Sequence, residues 1–411
     1  MMEEVTFDRP VYSLTTKPAV LDSYEDAMEQ ARKLIPLLQE RVSETEKLRH
    51  LHSENVADIL RSGLYGVMTP KRWGGSELGA QALIDASVEL ASACPSSGWV
   101  YMLWAAHMWL LALFPPETQE ELWSNPNVLA SSVVNTVGDV QPVEGGYRWT
   151  GRGFFSSGVD HCSWLTAAVP IKRGDGKPPQ RTWLLIPRED LEIVDDWFTV
   201  GLKGTGSKTI IVNDVFIPER RTVSATEIEE GRSPGALLHP NTCYCAISSA
   251  NFTAAMGAPA IGAARGFLNL FEERLRGKLA APDQTQADGL TATMARYAQA
   301  VAQVDAVQAL TRENARRFSS VPASQVSPKD RAHCRRDQAF AAQSCRRAVN
   351  TLYEEGGGSS LFDNSDIQRM WRDANAAAAH HGLTWDWIGI SWAKTQLDVP
   401  MGTTLNIQNG G

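Results

Sequence analysis

The sequence predicts a mainly helical protein with a small β domain in its centre, and two observations support this fold class. Two long regions, from about Ser23 to Trp123 and from Ala255 onward, repeat apolar residues at the spacing of an amphipathic helix. Between them, from about Val128 to Pro218, short runs of β-branched and aromatic residues alternate with glycine-containing turns. The expected order is therefore helices, a β unit, and helices again.

The first region is expected to hold four or five helices. Apolar residues follow a helical period over Ala31–Leu38 and Val56–Leu60. Glycines between positions 63 and 75 interrupt the pattern, which resumes over Ala80–Ala93. Pro95 then precedes another apolar helix over Ser96–Leu113, since proline is well tolerated at a helix start.

The central and last regions divide into short strands and long helices. Five candidate strands have the sequences LASSVV, YRWTG, SWLTAAVPI, RTWLLIP and KTIIVNDVFIP. The helical patterns that follow are Ala255–Leu279, Thr291–Arg317, Lys329–Gly356 and a last helix from Asp366. We therefore predict three domains: a helical domain over residues 1–124, a β domain over 125–232 and a helical bundle over 233–411.

The composition favours a folded, soluble and cytoplasmic protein. Hydrophobic residues at 43% and charged residues at 21% are near the globular average, which argues against a disordered chain or a membrane protein. The net charge of -8 argues against a nucleic-acid surface. Six scattered cysteines and an acidic start, MMEEVTFDRPVYSL, fit neither a disulfide framework nor a signal peptide. Thirteen tryptophans offer flat rings that can line a pocket for a flat molecule.

Several common cofactor motifs are missing from the sequence. No G-x-G-x-x-G opens a helix after a strand, no P-loop occurs, and no Cys or His residues have metal-site spacing. We therefore expect no nicotinamide-binding domain and no metal centre in this chain.

Three glycine-containing segments carry a family resemblance. The β region contains Gly146–Gly151 followed by Phe155–Gly158, and then Gly201–Ser207. Near the end, Gly356–Gly358 precedes Gln368–Ala374. In this order the segments resemble acyl-CoA dehydrogenases, whose fold has an N-terminal helical domain, a central β domain and a C-terminal four-helix bundle. The resemblance covers nearly the whole chain.

A closer resemblance is to the oxygenase components of two-component monooxygenases, such as those that hydroxylate p-hydroxyphenylacetate and steroid-ring phenols. The matching positions are Trp99, His107, Ala130–Ser132, Ser156–His161, Leu361–Ser365 and His380. The glutamate that dehydrogenases use as a base has no obvious counterpart, and no signature for a CoA nucleotide is visible. Both absences favour the oxygenase branch.

The resemblance implies an activity and its partners. Reduced FMN or FAD, delivered by a separate NAD(P)H-dependent flavin reductase, would react with O2 to give a flavin hydroperoxide. That species would hydroxylate a small aromatic substrate, phenolic or indolic, in a cavity that excludes water. The long C-terminal helices have apolar positions on more than one face, which predicts a dimer or a tetramer, and the resemblance implies a homotetramer.

The resemblance also assigns candidate site residues. We expect flavin contacts from Trp99, Ser131, Ser132, Ser156 and Ser157, with the Ser132 and Ser157 hydroxyls near the isoalloxazine ring and Ser157 also catalytic. The alternatives are a core tryptophan and serines that bond nearby backbone.

Two histidines are candidates for acid–base catalysis, because phenolate attacks faster than phenol and the pKa of histidine suits that task. His380 is the expected base and His107 the expected donor that orients the substrate. His381 could replace His380, and His161 is expected to be structural or to lie at the entrance of the site. For either catalytic candidate, the alternative is a core histidine with an internal partner.

The binding of the flavin phosphate is not predicted from a match. The family uses an arginine in the segment that is Ile247–Asn251 here, and this segment has no basic residue. Arg274, Arg276 and Lys278 on the following helix are the candidates, and the choice between FMN and FAD stays open.

Three other functions remain alternatives. The first is oxygenation of sulfur or nitrogen on the same fold, which needs no phenolate-forming base. The second is an acyl-CoA dehydrogenase-like enzyme that transfers hydride to oxidised flavin. The third is a flavin carrier without catalysis.

Overall fold

Residues 18–124 are mainly helical in the computed structural model, which describes residues 18–172, 178–280 and 290–400. Six α-helices lie in the described part of this region: α1 (Tyr24–Glu40), α2 (Val42–Leu48), α3 (Ser53–Arg61), α4 (Ala80–Ala93), α5 (Pro95–Leu111) and α6 (Pro116–Trp123). The predicted helical character is confirmed, with six helices rather than four or five. The helix predicted to end at Leu113 ends two residues earlier.

Local sequence explains how two of these helices form. α1 begins with a capping box, in which the Ser23 hydroxyl accepts the Asp26 N–H and the Asp26 carboxylate accepts the Ser23 N–H. In α5, every residue except Leu103 is buried. A helix that is apolar on all sides belongs in the interior, and α5 accordingly runs through the middle of the helical core.

The central region folds into two four-stranded sheets. The strands are β1 (Ala130–Val133), β2 (Asn135–Val143), β3 (Gly146–Ser156), β4 (Trp164–Ile171), β5 (Gln180–Pro187), β6 (Glu192–Val194), β7 (Lys208–Pro218) and β8 (Thr222–Ser224). Their orders are β1-β4-β5-β8 and β2-β3-β7-β6, and all pairs are antiparallel except β1 with β4. The five predicted strands are present, and β2, β6 and β8 were not predicted.

The last region is helical, as predicted. The helices in its described part are α7 (Ala225–Glu229), α8 (Pro234–Leu238), α9 (Ser248–Asn251), α10 (Ala258–Leu279), α11 (Thr291–Phe318), α12 (Pro328–Tyr353), α13 (Asp366–Ala378) and α14 (Trp385–Gln396). The prediction of one last helix from Asp366 is wrong, because α13 ends at Ala378 and a further helix, α14, begins after a short 3-10 turn over His381–Leu383.

Two large hydrophobic cores and a third, minor cluster around Ile247 and Phe318 hold the described residues together. The larger core joins residues of α1 to α5 with residues of α10 to α13. The smaller core lies between the two sheets and is built from inward residues of both, such as Trp149, Leu165, Leu184 and Ile210. Among the described residues, no helix has both the length and the apolar composition needed to cross a bilayer.

Candidate active site

Helix α5 carries two of the predicted site residues into the interior. Trp99 and His107 are buried and eight residues apart, which places them roughly 80° apart around the helix axis. The Trp99 Nε1–H donates to Ser157 Oγ over 3.2 Å, and His107 Nδ1 lies 2.7 Å from the carbonyl oxygen of Ala130. The same face of α5 therefore meets the ends of β1 and β3.

Hydroxyl groups cluster where β1, β3 and the turn before β7 come together. Ser131 Oγ lies 2.7 Å from Ser156 Oγ and donates to the Ser157 carbonyl at 2.9 Å. Ser157 Oγ lies 2.7 Å from Ser207 Oγ, which in turn lies 2.7 Å from Thr205 Oγ1. Sequence reasoning gave no site role to Ser207 or Thr205, although both lie in the segment that carried the family match.

Ser132, the other predicted serine, is half-buried on β1 and pairs with Thr166 of β4. It is next to the hydroxyl cluster in sequence. However, successive strand side chains point to opposite faces of a sheet, so Ser132 points away from Ser131.

The backbone at the end of β3 is irregular in a way that shapes this cluster. The register between β3 and β7 shifts between Gly153 and Ser156, and such bulges redirect side chains. Within the bulge, Phe155 has φ 65° and is 62% exposed. Gly158 then takes φ 69°, and its N–H donates to the Thr205 carbonyl at 2.8 Å. A strained, exposed aromatic residue beside buried hydroxyls suits a surface that another flat molecule covers.

His380 completes the group from the opposite side. It follows α13, and its ring centroid lies 5.5 Å from that of Trp99. The Gly382 N–H donates to His380 Nδ1 at 3.0 Å. Burial, followed by the neighbouring charges of His381 and Arg335, lowers the pKa of His380 to about 4. The ring is therefore neutral at pH 7.

His107 is neutral for the same main reason. Burial lowers its pKa to about 4, against a smaller opposing effect of the Ala130 carbonyl. A carbonyl oxygen can only accept, so the proton of the neutral ring is on Nδ1 and Nε2 carries a lone pair. This Nε2 is buried and has no hydrogen-bond partner among the described residues. Phe252, which follows α9, packs 5.6 Å from the His107 ring.

These hydrogen bonds favour the opposite distribution of roles between the two histidines from the one expected from the sequence, and the roles themselves stay predictions. His380 Nδ1 accepts a backbone N–H, so its proton is on Nε2, which makes Nε2 a donor. His107, expected to be the donor, instead presents an acceptor. The reason is that each tautomer is fixed by a backbone group, which the identities of the side chains do not reveal.

The remaining predicted residues are not in this group. Arg274 donates to the Gly356 carbonyl at 2.6 Å, to Ser360 Oγ at 2.7 Å and also to Ser359. Lys278 is exposed near the end of α10. His161 packs edge-on against Trp104, and its Nε2 lies 3.1 Å from the Leu51 carbonyl oxygen. Of the predicted residues, the structure brings together Trp99, His107, Ser131, Ser156, Ser157 and His380.

The group fits one face of a flavin. Flavin rings present alternating polar atoms along one edge and an apolar body, and the hydroxyl cluster next to Trp99 and exposed Phe155 offers both kinds of contact. The unpartnered Nε2 of His107 adds a polar atom that a substrate can satisfy.

Comparisons with known proteins agree with this geometry. The chain matches the acyl-CoA dehydrogenase N-terminal domain over residues 24–128 and the acyl-CoA dehydrogenase C-terminal domain over residues 254–385. It is 33% identical to the oxygenase component of an FADH(2)-dependent resorcinol hydroxylase from Rhizobium sp., covering 88% of this chain and 91% of the relative. It is 34% identical to the oxygenase subunit of a flavin-dependent monooxygenase from Rhodococcus jostii, covering 86% and 93%.

A solved structure gives the same result. The crystal structure of 3-HSA hydroxylase from Rhodococcus sp. RHA1 superposes with a TM-score of 0.87 at 31% identity, over 92% of this chain and 97% of that chain. The chain therefore belongs to the flavin-dependent monooxygenases of the acyl-CoA dehydrogenase fold, as one of their oxygenase components.

Proposed function

We propose that this oxygenase component uses reduced flavin and O2 to hydroxylate a small aromatic substrate, phenolic or indolic. The observation that carries the substrate class is the buried Nε2 of His107, an acceptor without a partner among the described residues. A phenol O–H or an indole N–H would donate to it and remove the cost of an unsatisfied buried group. Similarity to a resorcinol hydroxylase supports this choice.

The flavin would lie against the hydroxyl cluster. Ser157, held by Trp99 and Ser207, would contact its polar edge, and Phe155 would cover its apolar body. Reduced flavin, when bound, supplies the activated oxygen. Both FMN and FAD stay within the proposal, as do Arg274 and Lys278 as candidates for the phosphate.

The two histidines would have complementary roles. His107 Nε2 would accept a hydrogen bond from the substrate hydroxyl and draw on its proton as the ring reacts, because the neutral tautomer leaves a lone pair on that atom. His380 Nε2–H would donate to a second polar atom of the substrate or flavin. The surrounding Trp99 and Phe252 rings would exclude water.

The proposal includes partners and a location. A separate NAD(P)H-dependent reductase would supply the reduced flavin. A homotetramer would cover exposed apolar residues such as Phe198, Val200, Leu361 and Phe362, each at least 66% exposed in the single chain. All six cysteines are free thiols, which suits a reducing cytoplasm.

The first test follows flavin oxidation without substrate. Anaerobic protein and reduced FMN are mixed with oxygenated buffer in a stopped-flow instrument, and the return of oxidised-flavin absorbance is compared with free reduced FMN. A marked delay supports the proposal. Immediate oxidation with FMN and again with FAD would refute it.

The second test separates the histidines. In His107→Asn, the side-chain amide can still donate to the Ala130 carbonyl, but the Nε2 base is lost. We expect phenol hydroxylation to slow by about a hundredfold or more, the usual range for a lost general base, while the substrate-free delay is unchanged. His380→Asn should have a smaller effect. If neither change slows turnover, attack on sulfur or nitrogen replaces ring hydroxylation as the reaction.

A further inference from the structure

A cavity of about 360 Å³ lies beside the candidate active site. Its walls come from the end of α7, the start of α9, and the facing sides of α12 and α14. Two tryptophans, Trp387 and Trp392, provide flat apolar surface, while Arg331 and Arg335 bring positive charge. A cavity with aromatic walls and arginines suits an aromatic molecule that carries an anionic group.

One of the two arginines already has an acidic partner. Arg331 Nη1 lies 3.4 Å from the Glu229 carboxylate and donates to the Glu229 carbonyl at 3.0 Å. The Ser248 hydroxyl also donates to the Glu229 carboxylate. Glu229, the one acidic residue among the described residues that line the cavity, is therefore engaged by neighbours.

The guanidinium of Arg335 is different. It lies 5.7 Å from the ring centroid of Trp387, and no described residue forms an ion pair or hydrogen bond with it. The nearby Asp337 is occupied by Arg336 at 2.6 Å and by His333 at 3.2 Å. Burial lowers the pKa of Arg335, with only a partial opposing effect from Glu229. Because a guanidinium stays charged, this partly buried cation lacks a counter-ion.

Two connections join the cavity to the candidate active site. On one side, Ser249 lines the cavity within α9, and Phe252, which follows α9, packs on His107. On the other side, the Trp387 ring stacks on the ring of His381, the residue after His380, with 5.9 Å between the two ring centroids.

Charge provides a third connection. Arg335 is close enough to contribute to the lowered pKa of His380. The turn over His381–Leu383 also contacts α12, which carries Arg335. The Arg335 guanidinium thus lies within electrostatic reach of His380.

We propose that this cavity is an anion subsite of the active site, and that Arg335 binds the carboxylate of an aromatic acid whose ring reacts next to His107 and His380. This assignment rests on the proposed function and adds the substrate class. The planar guanidinium can bind a carboxylate through two parallel hydrogen bonds while it stays stacked on Trp387.

The test compares acids with their uncharged amides. Equilibrium dialysis measures binding of 4-hydroxybenzoate, 4-hydroxyphenylacetate and 3-(4-hydroxyphenyl)propanoate, and of the three matching carboxamides, to the flavin-loaded protein without oxygen. We expect at least one acid to bind roughly tenfold to hundredfold more tightly than its amide, as for a buried charged hydrogen bond. Arg335→Gln should remove this preference and leave amide binding unchanged.

Control variants make the result specific. Arg347→Gln removes the same charge from an exposed position of the same helix and should keep the preference. If Arg335→Gln also weakens amide binding, a second variant, Arg335→Lys, is needed because it keeps the positive charge. A preference for the acid that is retained in Arg335→Lys supports the assignment, and a preference that is lost overturns it.

Other outcomes overturn the assignment directly. They are no preference for any acid in the unmodified protein, no binding by any acid, or a preference that survives in Arg335→Gln. A further experiment compares the binding of reduced FMN with the binding of reduced riboflavin. If Arg335→Gln weakens the binding of FMN alone, the arginine binds the flavin phosphate and the carboxylate assignment is wrong. The oxygen reaction without substrate is unaffected by these results, so it judges the monooxygenase function separately.

Discussion

Replacing Gly158 by alanine would test how the turn after Ser157 holds the hydroxyl cluster. Gly158 has φ 69°, a conformation that costs an alanine about 1 kcal/mol. A Cβ atom at this position would lie 2.6 Å from Val100 Cγ1 and 2.9 Å from Trp104 Nε1. Both neighbours are fully buried residues of α5, so neither can move away freely.

The expected cost has two parts. Overpacking of a dense interior adds about 1–3 kcal/mol to the backbone cost, so Gly158→Ala should lower the free energy of unfolding by about 2–4 kcal/mol. If the turn moves to relieve the contact, Ser157 moves with it. The delay in flavin oxidation should then shorten as well.

A matched control separates the two parts. Gly145 has φ 77°, and a Cβ atom there would meet nothing within 4 Å. Gly145→Ala should therefore show the backbone cost of about 1 kcal/mol alone. Urea unfolding of both variants gives the comparison. Equal losses of stability in Gly158→Ala and Gly145→Ala would show that the contact with α5 is not tight, and the reasoning would be refuted.

Two further predictions concern buried charge and protonation. The pKa values of His107 and His161 are lowered by burial to about 4, so the unfolded chain binds protons more readily between pH 4 and the usual histidine pKa. Stability should fall as the pH drops through that window, by up to about 3 kcal/mol for each residue, and urea unfolding at several pH values checks this. Burial raises the pKa of Asp373 to about 6, which stabilises the fold as the pH drops and offsets part of the loss. In the wild-type protein the buried Lys208 ammonium lies 2.8 Å from the half-buried Asp160 carboxylate. Lys208→Met removes this cation and should cost about 3 kcal/mol; an unfolding free energy unchanged within about 1 kcal/mol would contradict this.

Periodicity predicted the large elements of the fold well and the small strands poorly. β4 and β5 have continuous apolar runs because they are largely buried. β2 is mostly exposed and contains Asn135, Gly138, Asp139 and Pro142. It is a strand because its backbone pairs with β3. Backbone hydrogen bonds do not depend on side-chain identity, so this pairing produces no alternation of apolar residues in the sequence. β6 and β8, with three residues each, are too short to show any period.

The domain boundaries illustrate a different limit of sequence reasoning. Composition changes sharply near residues 125 and 232, and the division there stays a prediction. The larger core contains residues from both helical regions, so the chain leaves this core to form the sheets and then returns to it. A change in periodicity locates the β insertion but does not tell which helices share a core.

The candidate site shows why residue types were easier to predict than their roles. Trp99, His107, His380 and three of the predicted serines could be identified from motif order, and the structure brings them together. Their chemistry depends on partners that carry no side-chain signature: the Ala130 carbonyl fixes the proton of His107, and the Gly382 N–H fixes that of His380. Each partner is positioned by an element boundary, one at the start of β1 and the other in the turn after α13. The acceptor and donor are therefore assigned by where secondary structure begins and ends, which is the feature that sequence patterns locate least accurately.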